Sequence, residues 1–275
     1  MNIVKYLILL LKRKNLQAKN IDGALNNLKE EGYGHFKSII KKKYIEDFRK
    51  SFFFLFNKIS GYKLTENFNS EELPEVIKVF RKNNPKKLNS FFKTCKLTNS
   101  FNNLFFNKEI QELAAKILGI DKETVIISEN QLRIDEPKDN LYVLDWHQDS
   151  PYYPQTINGL DSIVLNIFVQ NCYKDMGSVE LIKRSHKEGM LKFSEDSALS
   201  NVQQMKVEKK YIKSSNCITV ETMECDVVVY DMNLIHRSGY NSSNKARTSV
   251  IGRAFNPLSE SFIPYQYKNM ELIKQ

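Results

Sequence analysis

A chain of 275 residues with 41% hydrophobic and 27% charged residues can bury an ordinary core, which excludes a disordered or fibrous protein. Its formal charge of +9 is uneven, with residues 1–119 carrying a net +12 and residues 120–275 a net −3. A basic surface can attract nucleic acid, anionic lipid or an anionic substrate, and charge alone does not choose among them. The four cysteines, Cys95, Cys172, Cys217 and Cys225, have neither zinc-site nor disulfide-framework spacing, so reduced thiols and a cytoplasmic location are expected.

At the N-terminus, Tyr6 to Leu11 is an unbroken apolar run followed by Lys12, Arg13 and Lys14. It falls short of the ~20 residues of a membrane span and lacks the small-residue cleavage site of a signal peptide. Two readings stay open: a helix docked on its own domain, or a peripheral membrane contact through residues 3–14. Further along, Ile45, Phe48, Phe52, Leu55 and Ile59 recur every three or four positions, which predicts an amphipathic helix. Leu73 to Phe80 and Leu88 to Leu97 predict two more, separated at Pro85. Ile110, Leu113, Ala114, Ile117 and Leu118 predict another that stops at Gly119. His35, in "GYGHF", reads as an ordinary strand histidine.

Beyond Gly119 the periodicity becomes that of strands. "ETVIISE", "DSIVLNIFVQ", "NCITVET", "CDVVVYD" and "RTSVIGRAF" are short, β-branched and bounded by turn residues. The expected architecture is mainly β with α: a jelly roll over about 120–260, with a mostly helical part, 1–119, packed on its outside, in one domain spanning 1–275. The polar stretch from Glu188 to Lys210 reads as a long insertion between strands, of a length usual for functional lids.

The chemistry-bearing residues lie in this second half. In "LDWHQDSPYY", His147 and Asp149 are two positions apart, and on an extended strand both side chains would share one face. Taken alone, the pair reads more readily as a buried histidine with a carboxylate partner. His236 follows the apolar strand around Val227 to Tyr230. Two histidines and a carboxylate, holding a metal on one face and leaving the opposite positions open, form the facial triad of non-haem Fe(II) oxygenases. Arg247 lies eleven residues beyond His236, on a strand expected to return antiparallel past that ligand, and can offer a planar fork to a carboxylate, with the Ser238 hydroxyl beside it. Arg253 would share a face with Arg247. At ~3.3 Å per residue it is expected roughly 20 Å further along the strand and out of reach. Tyr152 and Tyr153 either line a substrate mouth or pack in the core.

Together, "WHQD" at 146–149, "GSVELIKRSHKEG" at 177–189 and "IHRSGYNSSNKAR" at 235–247 resemble the phytanoyl-CoA dioxygenase family of Fe(II)/2-oxoglutarate-dependent oxygenases. The resemblance spans most of residues 130–255. It implies a double-stranded β-helix that uses Fe(II), 2-oxoglutarate and O2 to hydroxylate a small-molecule or acyl- or glycan-type substrate. It implies His147, Asp149 and His236 as iron ligands, Arg247 and Ser238 as the clamp on the distal carboxylate of 2-oxoglutarate, and Gln131 as a polar neighbour of that co-substrate. His186, in the turn resembling the family's Gly-Ser-His segment, is expected to be structural. "KRSH" departs from the family's turn, and Asn166 stands where many members carry an aromatic residue. The competing expectations are a jelly-roll metalloenzyme independent of 2-oxoglutarate and a non-enzymatic protein whose basic helical part holds lipid or nucleic acid. No specific nucleic-acid motif is present, and the substrate's identity is not legible.

Overall fold

A computed structural model describes residues 20–139, 143–153, 161–195, 205–260 and 262. The apolar run at 3–14 lies outside these residues. Among the described residues, no helix is long and apolar enough to cross a membrane.

Helices come first in the chain: α1 (20–31), α2 (Lys42–Ser60), α3 (Glu72–Asn83), α4 (Pro85–Lys96), the single turn α5 (Asn99–Asn102) and α6 (Lys108–Leu118). In α2 the buried stripe is Ile45, Phe48, Phe52, Phe53 and Phe56, while Leu55 and Ile59, expected inside, are half-buried at its edge. Phe52 is the hub of this packing, with the rings of Phe53, Phe68 and Phe91 at 5.0–5.1 Å. Pro85 opens α4 at a position whose amide would have no helical partner. Gly119 ends α6 in the left-handed conformation, φ 68°, as its sequence position predicts.

Among the described residues, ten strands form antiparallel sheets. The larger sheet has the order β1-β8-β3-β10-β2, built from β1 (Tyr33–Phe36), β8 (Val227–Asp231), β3 (Ser162–Phe168), β10 (Arg247–Phe255) and β2 (Ile126–Asp135). The smaller has the order β7-β4-β9, from β7 (Cys217–Thr219), β4 (Glu180–Ile182) and β9 (His236–Arg237), and β5 (Phe193–Glu195) pairs with β6 (Met205–Val207). The first 119 residues are therefore not only helical, since β1 closes one edge of the large sheet. His35 of that strand lies 2.8 Å from a carboxylate oxygen of Asp226.

Alternation along the central strands decides which side chains reach the interior. Ile163, Leu165, Ile167, Val227, Val229 and Val250 face the helices and share their core. Val164, Phe168, Val228, Tyr230 and Ile251 face the smaller sheet with Leu181 and Val179. Because β3 and β8 are covered on both faces, their sequences are nearly continuous apolar runs, and Asn166 is the polar exception inside β3. The side chains of His147, Asp149, His236, Arg247 and Arg253 line one space between the two sheets.

The polar stretch at 188–210 contributes structure on both arms. β5 and β6 pair through Phe193↔Val207 and Glu195↔Met205, and Val207 packs with Trp146 and Ile235. Residues 196–204 lie outside the described ones.

Candidate metal and co-substrate site

His147, Asp149 and His236 converge, with one potential ligand atom from each within 4.8 Å of the others. The regular strand expected at 147–149 is not what brings them together. His147 makes an isolated bridge with His236, each backbone N–H donating to the other's carbonyl at 2.9 and 3.0 Å. Asp149 already has helical backbone angles and leads into a 3-10 turn at Ser150–Tyr152, and its N–H and that of Ser150 both donate to the Met232 carbonyl. Between them, Gln148 turns the other way. Its amide nitrogen donates to the carbonyls of Gly189 and Asn233, and its oxygen accepts from the Leu191 N–H at 2.8 Å. The intervening residue thus anchors the turn that aims its neighbours.

Both imidazoles are oriented for metal binding. Nδ1 of His147 lies 2.7 Å from the Asp145 carbonyl, and Nδ1 of His236 lies 2.9 Å from that of Leu234. A carbonyl only accepts, so each Nδ1 carries the proton and each Nε2 presents its lone pair to the common space. The two Nε2 atoms stand 3.8 and 3.7 Å from Oδ1 of Asp149. Burial pushes His147 down to about 3, with repulsion from His236 when that ring is protonated adding to it, and burial likewise lowers His236, so both rings are neutral at physiological pH. Burial would raise the Asp149 carboxyl, but Arg253, joined in acid by the two protonated histidines, outweighs it and the group sits at about 2. Two neutral imidazoles and one ionised carboxylate, nearly enclosed, fit a divalent first-row metal such as Fe(II), and the set contains no thiolate to favour zinc or a cluster.

Arg253 is where the structure overturns the expectation from strand length. β10 runs across the site with its odd-numbered residues facing inward, so Arg247 and Arg253 flank the same interior space from its two ends. Arg253 donates to Oδ2 of Asp149 from Nε at 3.0 Å and from Nη2 at 2.7 Å. Distance along the strand alone left out where Asp149 would lie: the fold brings it to the Arg253 end of the same interior space, where the two meet.

Arg247 meets Ser238 as expected, its Nη2 3.2 Å from Oγ. The route is different, however: β9 and β10 lie in opposite sheets, so the arginine reaches across the interior and not along a hairpin. Its Nε and Nη2 also hold Oδ2 of Asp135, and its Nη1 donates to the Gly177 carbonyl. Arg133 takes the other oxygen of Asp135 at 2.9 Å. One carboxylate is therefore shared by two guanidiniums, which hold it at about 2 against the upward pull of burial. Arg133 and Asp135 were not singled out from the sequence. The signal was present in "QLRID", where Gln131, Arg133 and Asp135 alternate with Leu132 and Ile134 on a strand.

Gln131 lines the interior and donates to the Tyr153 hydroxyl at 3.3 Å. Tyr152 and Tyr153 both border a cavity of about 350 Å³ that opens from the triad toward solvent, with Phe92, Leu132, Arg81 and Arg133 among its walls. Asn166 lies in the inner space between the triad and Arg247, its side-chain oxygen buried. His186 stays outside the site: its ring packs on Gly32, and its Nε2 lies 3.3 Å from the Lys29 carbonyl.

Residues 29–249 match the family model described as "Phytanoyl-CoA dioxygenase (PhyH)". No curated protein matches the chain. Among solved structures, AviO1 from Streptomyces viridochromogenes Tue57 superposes with a TM-score of 0.56 at 16% identity, over 88% of this chain and 96% of that one. EvdO2 from Micromonospora carbonacea var. aurantiaca, complexed with 2-oxoglutarate, gives 0.58 at 10% identity over 84% and 89%. The epimerase SnoN, in complex with Fe3+, alpha ketoglutarate and nogalamycin RO, gives 0.56 at 11% identity over 86% and 83%. At these identities the likeness is one of fold.

Proposed function

The chain belongs to the phytanoyl-CoA dioxygenase family, and from that premise we propose that it is a non-haem Fe(II)- and 2-oxoglutarate-dependent oxygenase that hydroxylates a small organic substrate. The observation that carries this reading is the joint placement of three metal-competent donors, an inner space that reaches Arg247 and Ser238, and an adjoining outer cavity that shares His147 and Asp149 in its lining. His147, His236 and Asp149 would hold Fe(II), and the bound iron, with 2-oxoglutarate and O2, supplies the oxidising power that exchanges a C–H hydrogen for a hydroxyl as 2-oxoglutarate leaves as succinate and CO2.

The protein's own contribution is placement. Carbonyl partners on both Nδ1 atoms fix the tautomers, so no proton has to leave a ring before the metal binds. Arg247 and Ser238 would receive the distal carboxylate of 2-oxoglutarate, with the Asp135 carboxylate and the Gly177 carbonyl holding the guanidinium plane in advance. In the family pattern an arginine and a serine at these positions perform that role, and EvdO2 of the same fold has been crystallised with 2-oxoglutarate. Phe92, Leu132, Leu144 and Tyr152 line the outer cavity with apolar surface, suited to excluding water from a reacting C–H bond. Its volume, about 350 Å³, suits a small molecule. Arg81 and Arg133 add polar contacts at its wall.

The test is anaerobic titration of 2-oxoglutarate into Fe(II)-loaded protein. A metal-to-ligand charge-transfer band that saturates with one equivalent is the expected result, followed on admitting O2 by succinate release. A protein that binds Fe(II) but gives neither band nor succinate would refute the 2-oxoglutarate assignment.

A further inference from the structure

The geometry points to Arg253 as a positioning residue that fixes Asp149 as a one-oxygen ligand, supported from behind by Tyr153 and Gln131. The inference rests on the reading of His147, Asp149 and His236 as a metal site. It reaches beyond residues 29–249, where the match to the family model ends.

A carboxylate can bind a metal through one oxygen or both, and the second mode would occupy a position that a facial triad leaves open. In this chain the two oxygens of Asp149 have different partners. Oδ1 faces the two imidazole Nε2 atoms at 3.7 and 3.8 Å. Oδ2 receives two N–H groups of Arg253, at 3.0 and 2.7 Å. A fork on one oxygen sets both the position and the rotation of the carboxylate, which a single donor would leave free to swing.

Arg253 is itself held in place. It is 5% exposed, and the centre of its guanidinium lies 4.7 Å from the centroid of the Tyr153 ring. The hydroxyl of that ring accepts from Gln131 at 3.3 Å. Its own strand is paired on both sides, with Val164 across on β3 and Ser128 across on β2. The chain Gln131, Tyr153, Arg253, Asp149 thus runs from a strand through an aromatic face to the ligand, with every member at the interior. Gln131, expected beside the co-substrate, is the outer member of this support.

Charge and geometry predict opposite effects on metal binding, which makes the role testable. The guanidinium repels a divalent cation, so if its charge were all that mattered, removing it would tighten metal binding. If it positions Asp149, removing it weakens binding and alters the coordination. The experiment uses Co(II) alone, in the full-length protein without 2-oxoglutarate, following the visible absorption of the bound ion during titration. Arg253→Met, which keeps the apolar stem, should bind Co(II) about ten- to a hundredfold more weakly, with altered band positions and intensities. Arg253→Lys, which keeps the charge but offers no fork, should also show altered bands, with a smaller loss of affinity. Tyr153→Phe should change the spectrum less than either. Unchanged spectra, or tighter Co(II) binding in Arg253→Met, would overturn the assignment. Should Arg253→Met fail to fold, Arg253→Lys decides by the same two readouts. Because no co-substrate is present, a failure of the 2-oxoglutarate reading would leave this result standing, and the reverse holds as well.

Discussion

Asp135→Asn offers the most direct check on the electrostatics of the inner site. The wild-type carboxylate is buried at the end of β2, with Oδ1 on Arg133 and Oδ2 on Arg247. Burial raises its pKa and the two guanidiniums lower it, and the balance moves the group from 3.8 to about 2. A folded-state pKa depressed by this much corresponds to stabilisation on the order of 2 kcal/mol at neutral pH. Asparagine is nearly isosteric but can accept on one side only. Its NH2 would face one of the two guanidiniums, leaving buried donors opposed at a cost of ~1–3 kcal/mol. Losing one member of a buried ionic cluster costs ~3–5 kcal/mol where nothing compensates, and the remaining contacts of Arg247 to Gly177 and Ser238 compensate in part. The expected destabilisation is therefore about 2–4 kcal/mol, read as the difference in urea-unfolding free energy near pH 7. The sign of its pH dependence follows from the depressed pKa: the gap is fully present above about pH 4 and narrows as acid protonates the wild-type carboxylate toward about pH 2. A variant within ~0.5 kcal/mol of wild type at neutral pH, or a gap that widens on acidification, would refute the reasoning.

Other substitutions probe the remaining parts of the site. Arg247→Ala should weaken 2-oxoglutarate binding to the Fe(II) protein by roughly one to two decades, and Arg247→Lys by less, measured by the charge-transfer band under anaerobic conditions; unchanged binding would move the clamp elsewhere. His147→Ala combined with His236→Ala should abolish stoichiometric Fe(II) binding by equilibrium dialysis while the far-ultraviolet circular dichroism stays that of the folded protein. Gly252→Ala should cost ~1–3 kcal/mol in urea unfolding, because a Cβ there would come within 2.4 Å of the Phe105 ring and 2.7 Å of the Asn130 side chain, where β2 puts two residues opposite one of β10. On the proposed assignment of Asp149 to the third ligand position, turnover in chloride buffer should yield hydroxylated and no chlorinated product by mass spectrometry.

Much of this protein could be read without coordinates. Periodicity located four of the helices and the central strands, because a side chain's face follows from its spacing along a regular element. That His147, Asp149 and His236 would gather in one place, and Arg247 beside Ser238, was legible because a metal-binding chemistry demands particular donor atoms and few residues in the chain supply them. What the sequence left undecided depends on contacts between distant segments. His35 was read as a strand residue and is one, but the place of the four-residue β1 at the edge of the large sheet is set only by its pairing with β8. His147 and Asp149 converge through a turn pinned by Gln148 to residues 41 and 85 positions away, so the regular-strand argument reached the right pair for the wrong reason. Distance along β10 placed Arg253 out of reach, yet the strand crosses the interior with Arg253 on Asp149 and Arg247 on Asp135. Local sequence sets which face a side chain occupies. Which charges share that buried space is decided by tertiary packing, because a low-dielectric interior accepts an arginine only where the fold has brought a carboxylate to meet it.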